Sequence, residues 1–130
     1  MKEKKGFTLI ELLVVVAIIG VLSLLGLRLY LTQQVKAHNA IVKANSGTVQ
    51  TLIQSELSDK MITRDEAALY VANNAGLQNP FNGVAMNLAD WFPESANTPG
   101  KIQITLSDGV FYIQGYGADG LLPNILTAQR

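Results

Sequence analysis

The chain has 130 residues, no cysteine, 48% hydrophobic residues, and ten basic against ten acidic side chains, for a formal net charge of zero. That length holds one small domain and one membrane segment but not two domains, and without cysteine there is neither a disulfide framework nor a thiolate metal site. The zero is a sum of unlike parts: Lys2, Lys4 and Lys5 stand against Glu3 at the start, whereas beyond Ser46 only Lys60, Arg64, Lys101 and Arg130 face Glu56, Asp59, Asp65, Glu66, Asp90, Glu94, Asp108 and Asp119, an acidic balance that makes nucleic acid a poor partner.

The first predicted element is apolar. From Phe7 to Leu27, about 21 residues carry one ionisable group, Glu11, and as a helix they extend roughly 31 Å, enough to cross the hydrocarbon core of a bilayer. A cleaved secretory signal fits less well: the stretch is too long, and Arg28-Leu-Tyr-Leu-Thr-Gln-Gln follows it with no small-residue cleavage site. Lys2, Lys4 and Lys5 lie nearer the span than Arg28, Lys36 and Lys43, which favours an N-terminus on the cytoplasmic side. An acid inside a span costs on the order of 3 kcal/mol and usually has a partner. No basic residue stands between Gly6 and Arg28. Cleavage after Gly6 would create one, because the new α-amino group of Phe7 would lie one helical turn before Glu11 on the same face.

A short basic leader ending in Gly6, followed by Phe-Thr-Leu-Ile-Glu-Leu-Leu-Val-Val-Val-Ala-Ile-Ile-Gly20, resembles the N-terminus of the type IV pilin family, which includes the pseudopilins of type II secretion. The resemblance covers about Lys5 to Tyr30. It implies cleavage between Gly6 and Phe7 by a prepilin peptidase, N-methylation of Phe7, and pairing of Glu11 with the Phe7 amine of a neighbouring subunit in a filament. One position departs from the family: Arg28 stands where a helix-breaking proline is usual, with Tyr30 following as expected, so the family's local unwinding between Gly20 and that position has only Gly20 and Gly26 to loosen it, at about 1 kcal/mol each. Ala17, Gly20, Ser23 and Gly26 recur every three residues and wind around the helix, a spacing suited to packing against several neighbours.

Beyond Arg28 the helical pattern continues. Val35, Val42, Val49, Leu52, Ile53 and Leu57 form one apolar stripe, so the helix is expected from Phe7 to about Asp59, weakest at Asn45-Ser-Gly47. Thr63-Arg-Asp-Glu66 is a capping box opening a short helix that stops before Gly76. Asn79-Pro-Phe-Asn-Gly83 reads as a loop, and Val84 to Phe92 as one more strand or a loop, with Trp91 at its edge. Residues 101–106 and 110–114 alternate about Ser-Asp-Gly and predict a β-hairpin, with Ile102, Ile104 and Leu106 facing the long helix. The fold class is therefore α+β: a long N-terminal helix on a small antiparallel sheet. The expected organisation is a leader over 1–6, a membrane or filament-core half-helix over 7–27, an amphipathic half-helix over 28–60 and an α+β head over 61–130.

Chemistry finds little footing, and an enzyme is not expected. The lone His38 is assigned to the helix surface or a subunit contact, since one histidine lacks the convergent groups of a site. Tyr116-Gly-Ala-Asp-Gly120 resembles a segment of the major pseudopilin, where a calcium loop follows; here Leu121-Leu-Pro-Asn-Ile follows instead. Asp108 and Asp119 are the calcium candidates, short of the six or more oxygens the ion takes, and an ordinary turn at Asp119-Gly120 is the alternative; no cofactor is expected. Phe92, Trp91, Phe111, Tyr112 and Tyr116 read as core and sheet surface. The resemblance implies a filament subunit held first in the inner-membrane lipid and assembled, as a homopolymer or with other pilins, by an inner-membrane platform. A periplasmic pseudopilin and a non-polymerising membrane tether are the alternatives.

Overall fold

The computed structural model describes residues 6–92 and 98–130; the leader expected at the start lies outside them except for Gly6, and so does Glu94. The chain divides into two compact units, Met1–Gln34 and Val35–Arg130. One helix, α1 (Leu9–Asp59), contributes to both.

In the first unit α1 starts where the sequence supplies a cap. The Glu11 N–H donates to Thr8 Oγ1 at 3.2 Å, which satisfies one of the donors that a helix start leaves free, and the Leu12 N–H donates to the Thr8 carbonyl at 3.1 Å as the first helical bond. The large apolar side chains from Leu9 to Leu31 are 49–73% exposed. The helix is unbroken through Gly20, Gly26 and Arg28. Two hydroxyls of this helix turn back on their own backbone, Ser23 Oγ donating to the Ile19 carbonyl at 2.7 Å and Thr32 Oγ1 to the Arg28 carbonyl at 3.0 Å, so neither needs an outside partner. The helix has a mean hydropathy of 2.8 over an 18-residue window and is long and apolar enough to cross a membrane.

In the second unit the predicted stripe is the buried face of α1. Val42, Val49, Ile53 and Leu57 are at most 1% exposed and share one core with Ile102, Ile104, Phe111 and Ile113 of the sheet. The recurrence at three, four and seven residues is what puts them on one side. Val35 is left half-exposed. Asn45-Ser-Gly47, expected as the weak point, is regular helix whose Asn45 and Ser46 are buried. Asn45 Nδ2 donates to the Gln78 carbonyl at 3.3 Å and Ser46 Oγ to the Val42 carbonyl at 2.9 Å. The small side chain of Ser46 suits a close approach by Gly115, where an added Cβ would collide with Val42 and lie 3.2 Å from Ser46 Oγ.

The capping box forms as predicted and opens α2 (Arg64–Asn74), which ends before Gly76 at φ +60. The hairpin is β1 (Ile102–Ser107) and β2 (Val110–Gly117), paired from Ser107↔Val110 to Ile102↔Gly115. Asp108 and Gly109 both have positive φ, 51 and 78, the two-residue turn whose twist matches the strands. Two short strands were not anticipated, β3 (Gly120–Leu121) and β4 (Leu126–Ala128), both antiparallel to β2. Phe111 opposes Leu106 of β1 on one side and Ala128 of β4 on the other, so β2 is central. The inward face is Ile102 and Ile104; Leu106, beside the hairpin turn, stays 38% exposed.

Val84 to Phe92 is not a strand. Apart from one bridge, Gln78↔Ala85, it holds a 3-10 turn, Leu88–Trp91. Asn87 and Asp90 nucleate it: the Ala89 N–H donates to Asn87 Oδ1 at 3.0 Å and the Asn87 N–H to Asp90 Oδ2 at 2.7 Å, local bonds that compete with a ladder. The turn carries Trp91 into the core, 1% exposed, and not to an edge.

Candidate functional site

The first unit concentrates the singled-out residues. Gly6 and Phe7 precede the helix, and Phe7 is 88% exposed, so the Gly6–Phe7 bond lies in accessible chain outside the helix. Glu11 is the third helical residue. It is exposed, and among the described residues its carboxylate has no ion-pair or hydrogen-bond partner. Ala17, Gly20, Ser23 and Gly26 lie on the exposed helix, and nothing stands within 4 Å of a Cβ built at Gly20 or Gly26, which leaves room for another backbone to approach closely. Arg28, also exposed and without an ion-pair partner among the described residues, borders a shallow apolar groove with Val21, Leu24 and Leu25. Among its described residues this unit offers apolar area, one acid near its start and one base near its end.

The second unit brings no comparable group together. Asp108 and Asp119 occupy turns at opposite ends of the eight-residue β2, about 25 Å apart at 3.3 Å per residue, so one ion cannot use both. Among the described residues no three His, Asp or Glu side chains cluster for a metal. Tyr116 and Gly117 belong to β2, and Ala118-Asp119 is the turn into β3. His38 is half-buried and meets the edge of Phe81 with ring centroids 5.0 Å apart, a contact within the head. The aromatic residues divide as core and surface: Phe111 and Trp91 are buried, Tyr116 is 6% exposed with its hydroxyl donating to Gln103 Oε1, Tyr112 is 39% exposed, and Arg64 lies over the Phe92 ring.

Sequence reading missed the polar groups that join helix to sheet. Asn39 Oδ1 accepts from the Ala118 N–H at 3.1 Å. Gln50 Nε2 donates to the Thr127 carbonyl at 2.7 Å, and Gln54 both donates to the Gln129 carbonyl at 2.8 Å and accepts from the Gln129 N–H at 3.2 Å. A glutamine amide used in this way stands in for the next strand and covers the free edge of β4. Asn79, 5% exposed, donates to the Pro99 carbonyl at 2.7 Å while its Oδ1 accepts from the Phe81 N–H at 2.9 Å. The only signal in the sequence was the spacing of Gln50 and Gln54 by one turn beside the apolar stripe.

Comparison with known proteins agrees with the N-terminal pattern. Residues 1–27 match the prokaryotic N-terminal methylation motif. The chain is 43% identical over 58 residues to the fimbrial protein EcpB of Eikenella corrodens, a match covering 45% of this chain and 36% of that protein. It is 34% identical over 87 residues to a probable minor fimbrial protein of Dichelobacter nodosus, covering 67% of this chain and 55% of that one. The matches thus span about a third to a half of these relatives' lengths. No solved structure matches the chain. The methylation motif and the fimbrial relatives, with a long apolar helix and a small four-stranded antiparallel sheet, together support a place in the type IV pilin family.

Proposed function

We propose that the chain is a structural subunit of a type IV pilus. It is made as a precursor anchored in the inner membrane by residues 7–27 with the head outside, cut between Gly6 and Phe7, methylated at Phe7 and polymerised by an inner-membrane platform. The observation that carries this reading is the combination of an exposed apolar helix with a Glu11 that has no partner among the described residues. Apolar area supplies cohesion between helices once they leave lipid, while a buried carboxylate left unpaired costs several kcal/mol and so selects the arrangement that gives it a cation. The Phe7 amine of a neighbour provides one. The fimbrial relatives support a fibre; a periplasmic pseudopilus is the second reading, favoured by Gly117-Ala-Asp-Gly120.

Replacing Glu11 with Ala tests this. The variant is expected to insert and fold, yet to leave no sheared fibres, whereas fibres at the unsubstituted level overturn the filament role of Glu11. Mass spectrometry of sheared material beginning at methylated Phe7 excludes a plain tether; assembled chain confined to the periplasm favours the pseudopilus.

A further inference from the structure

Between Gly6 and Gln34 the chain has two charged side chains, Glu11 and Arg28. They sit seventeen positions apart on one unbroken helix, both are exposed, and neither has an ion-pair partner among the described residues. At 1.5 Å per residue their axial separation is about 25 Å. A second copy of this helix, parallel and in register, would set acid beside acid and base beside base. Small offsets leave both charges against apolar side chains. Displaced by about 25 Å, the second copy brings its Arg28 level with Glu11 of the first.

We propose that the apolar unit docks on a second copy of itself at this offset, with the Arg28 guanidinium of one copy paired to the Glu11 carboxylate of the other. The inference rests on the filament reading above and adds a second, longer-range contact to it. The amine of Phe7 reaches Glu11 of a neighbour at an offset of four residues, about 6 Å, so the two contacts belong to different neighbours. One carboxylate serves both, since its two oxygens accept several hydrogen bonds. Arginine suits the position because its planar fork matches a carboxylate and holds charge when desolvated.

The offset also separates membrane from filament. Copies side by side in a bilayer keep their apolar stretches within a hydrocarbon layer about 30 Å thick, so none is displaced by 25 Å, and Arg28 at the outer end extends to the headgroups. The pair becomes available only as subunits climb past one another. It therefore rewards staggered assembly and opposes in-register clustering.

The absence of native cysteine makes the test direct. Val15 lies one turn beyond Glu11 and Thr32 one turn beyond Arg28, and the proposed offset sets these two level. Filaments of the Val15→Cys/Thr32→Cys variant are expected to oxidise to a covalent ladder, while Val15→Cys or Thr32→Cys alone gives none. In a parallel assay Arg28→Glu, which places acid against acid, is expected to lower filament yield about a hundredfold, the scale of an unpaired buried charge, and Arg28→Lys to retain most of it. Filaments that form without the ladder, or that tolerate Arg28→Glu, overturn the pairing and leave the filament reading standing. An unsubstituted chain that makes no filament overturns both.

Discussion

In the head, the α1 face from Val42 to Leu57 meets a sheet and is at most 1% exposed at its four large apolar positions; in the N-terminal unit, the same helix leaves Leu9 to Leu31 at half to three-quarters exposure. Polar groups follow the same division. Asp90 and Lys101, each 17% exposed, pair at 3.4 Å, Ser46 bonds its own helix, and Asn79 is satisfied from two sides. Glu11 and Arg28 have no such partners among the described residues. The difference teaches that one stretch of chain contributes its own packing partners while the other leaves its apolar face open to partners of a different kind: on the reading proposed above, first lipid and then further copies.

Matched truncations sharpen that contrast most. Ile53→Ala removes a fully buried side chain from the core and is expected to cost about 2–5 kcal/mol. Leu22→Ala, at a residue 62% exposed, should change the stability of the solubilised full chain by less than about 0.5 kcal/mol. Denaturant unfolding followed by the fluorescence of Trp91, the single tryptophan, measures both. Equal losses would break the comparison, because they would mean that the first unit has intramolecular packing after all.

Next in size is the helix–sheet contact. A Cβ at Gly115 collides with Val42 and lies 3.2 Å from Ser46 Oγ, so Gly115→Ala should cost about 1–3 kcal/mol through overpacking. Adding Val42→Ala should return part of that loss, a coupling that a double-mutant cycle reads. Asn39→Ala should cost about 1 kcal/mol, since the Ala118 N–H loses its acceptor; faster amide exchange at Ala118 is the local signature.

Much of this division was legible before any coordinates. The stripe from Val42 to Leu57, the Thr63 cap and the Ser-Asp-Gly hairpin each repeat a local rule, so a short window suffices to find them. Strands β3 and β4 were not legible, because two or three residues carry no periodicity and these acquire their pairing only once β2 is in place. Trp91 was misplaced for a related reason: Asn87 and Asp90 look like ordinary polar residues until their side chains are seen closing a turn. At the N-terminus the pattern of Gly6, Phe7 and Glu11 was plain from spelling alone, whereas the Gln54 edge contact joins residues 75 apart in sequence and leaves no local trace.

The smallest expected effect comes from one motif used in both regions. Thr8-Leu-Ile-Glu11 and Thr63-Arg-Asp-Glu66 have the same capping-box spelling. At α2 the box closes in both directions: the Glu66 N–H donates to Thr63 Oγ1 at 3.3 Å and the Thr63 N–H to Glu66 Oε2 at 2.7 Å. At α1 only the first half forms among the described residues, which leave the Glu11 carboxylate without a partner. The closed box has a titration signature. The hydrogen bond from the Thr63 backbone, aided by the Thr63 hydroxyl and the Lys60 charge, holds the Glu66 carboxyl below the ordinary glutamate value. A carboxyl whose pKa is lower folded than unfolded binds fewer protons in the native state, so its contribution is complete above the ordinary value of about 4.3 and is lost as pH falls through the folded one. Between neutral and acid pH the unfolding midpoint of the unsubstituted chain should therefore fall further than that of Glu66→Gln, whose cap does not ionise. Comparing the two chains cancels the other carboxylates. Parallel midpoints would mean that the closed box at α2 is energetically no different from the open one at α1.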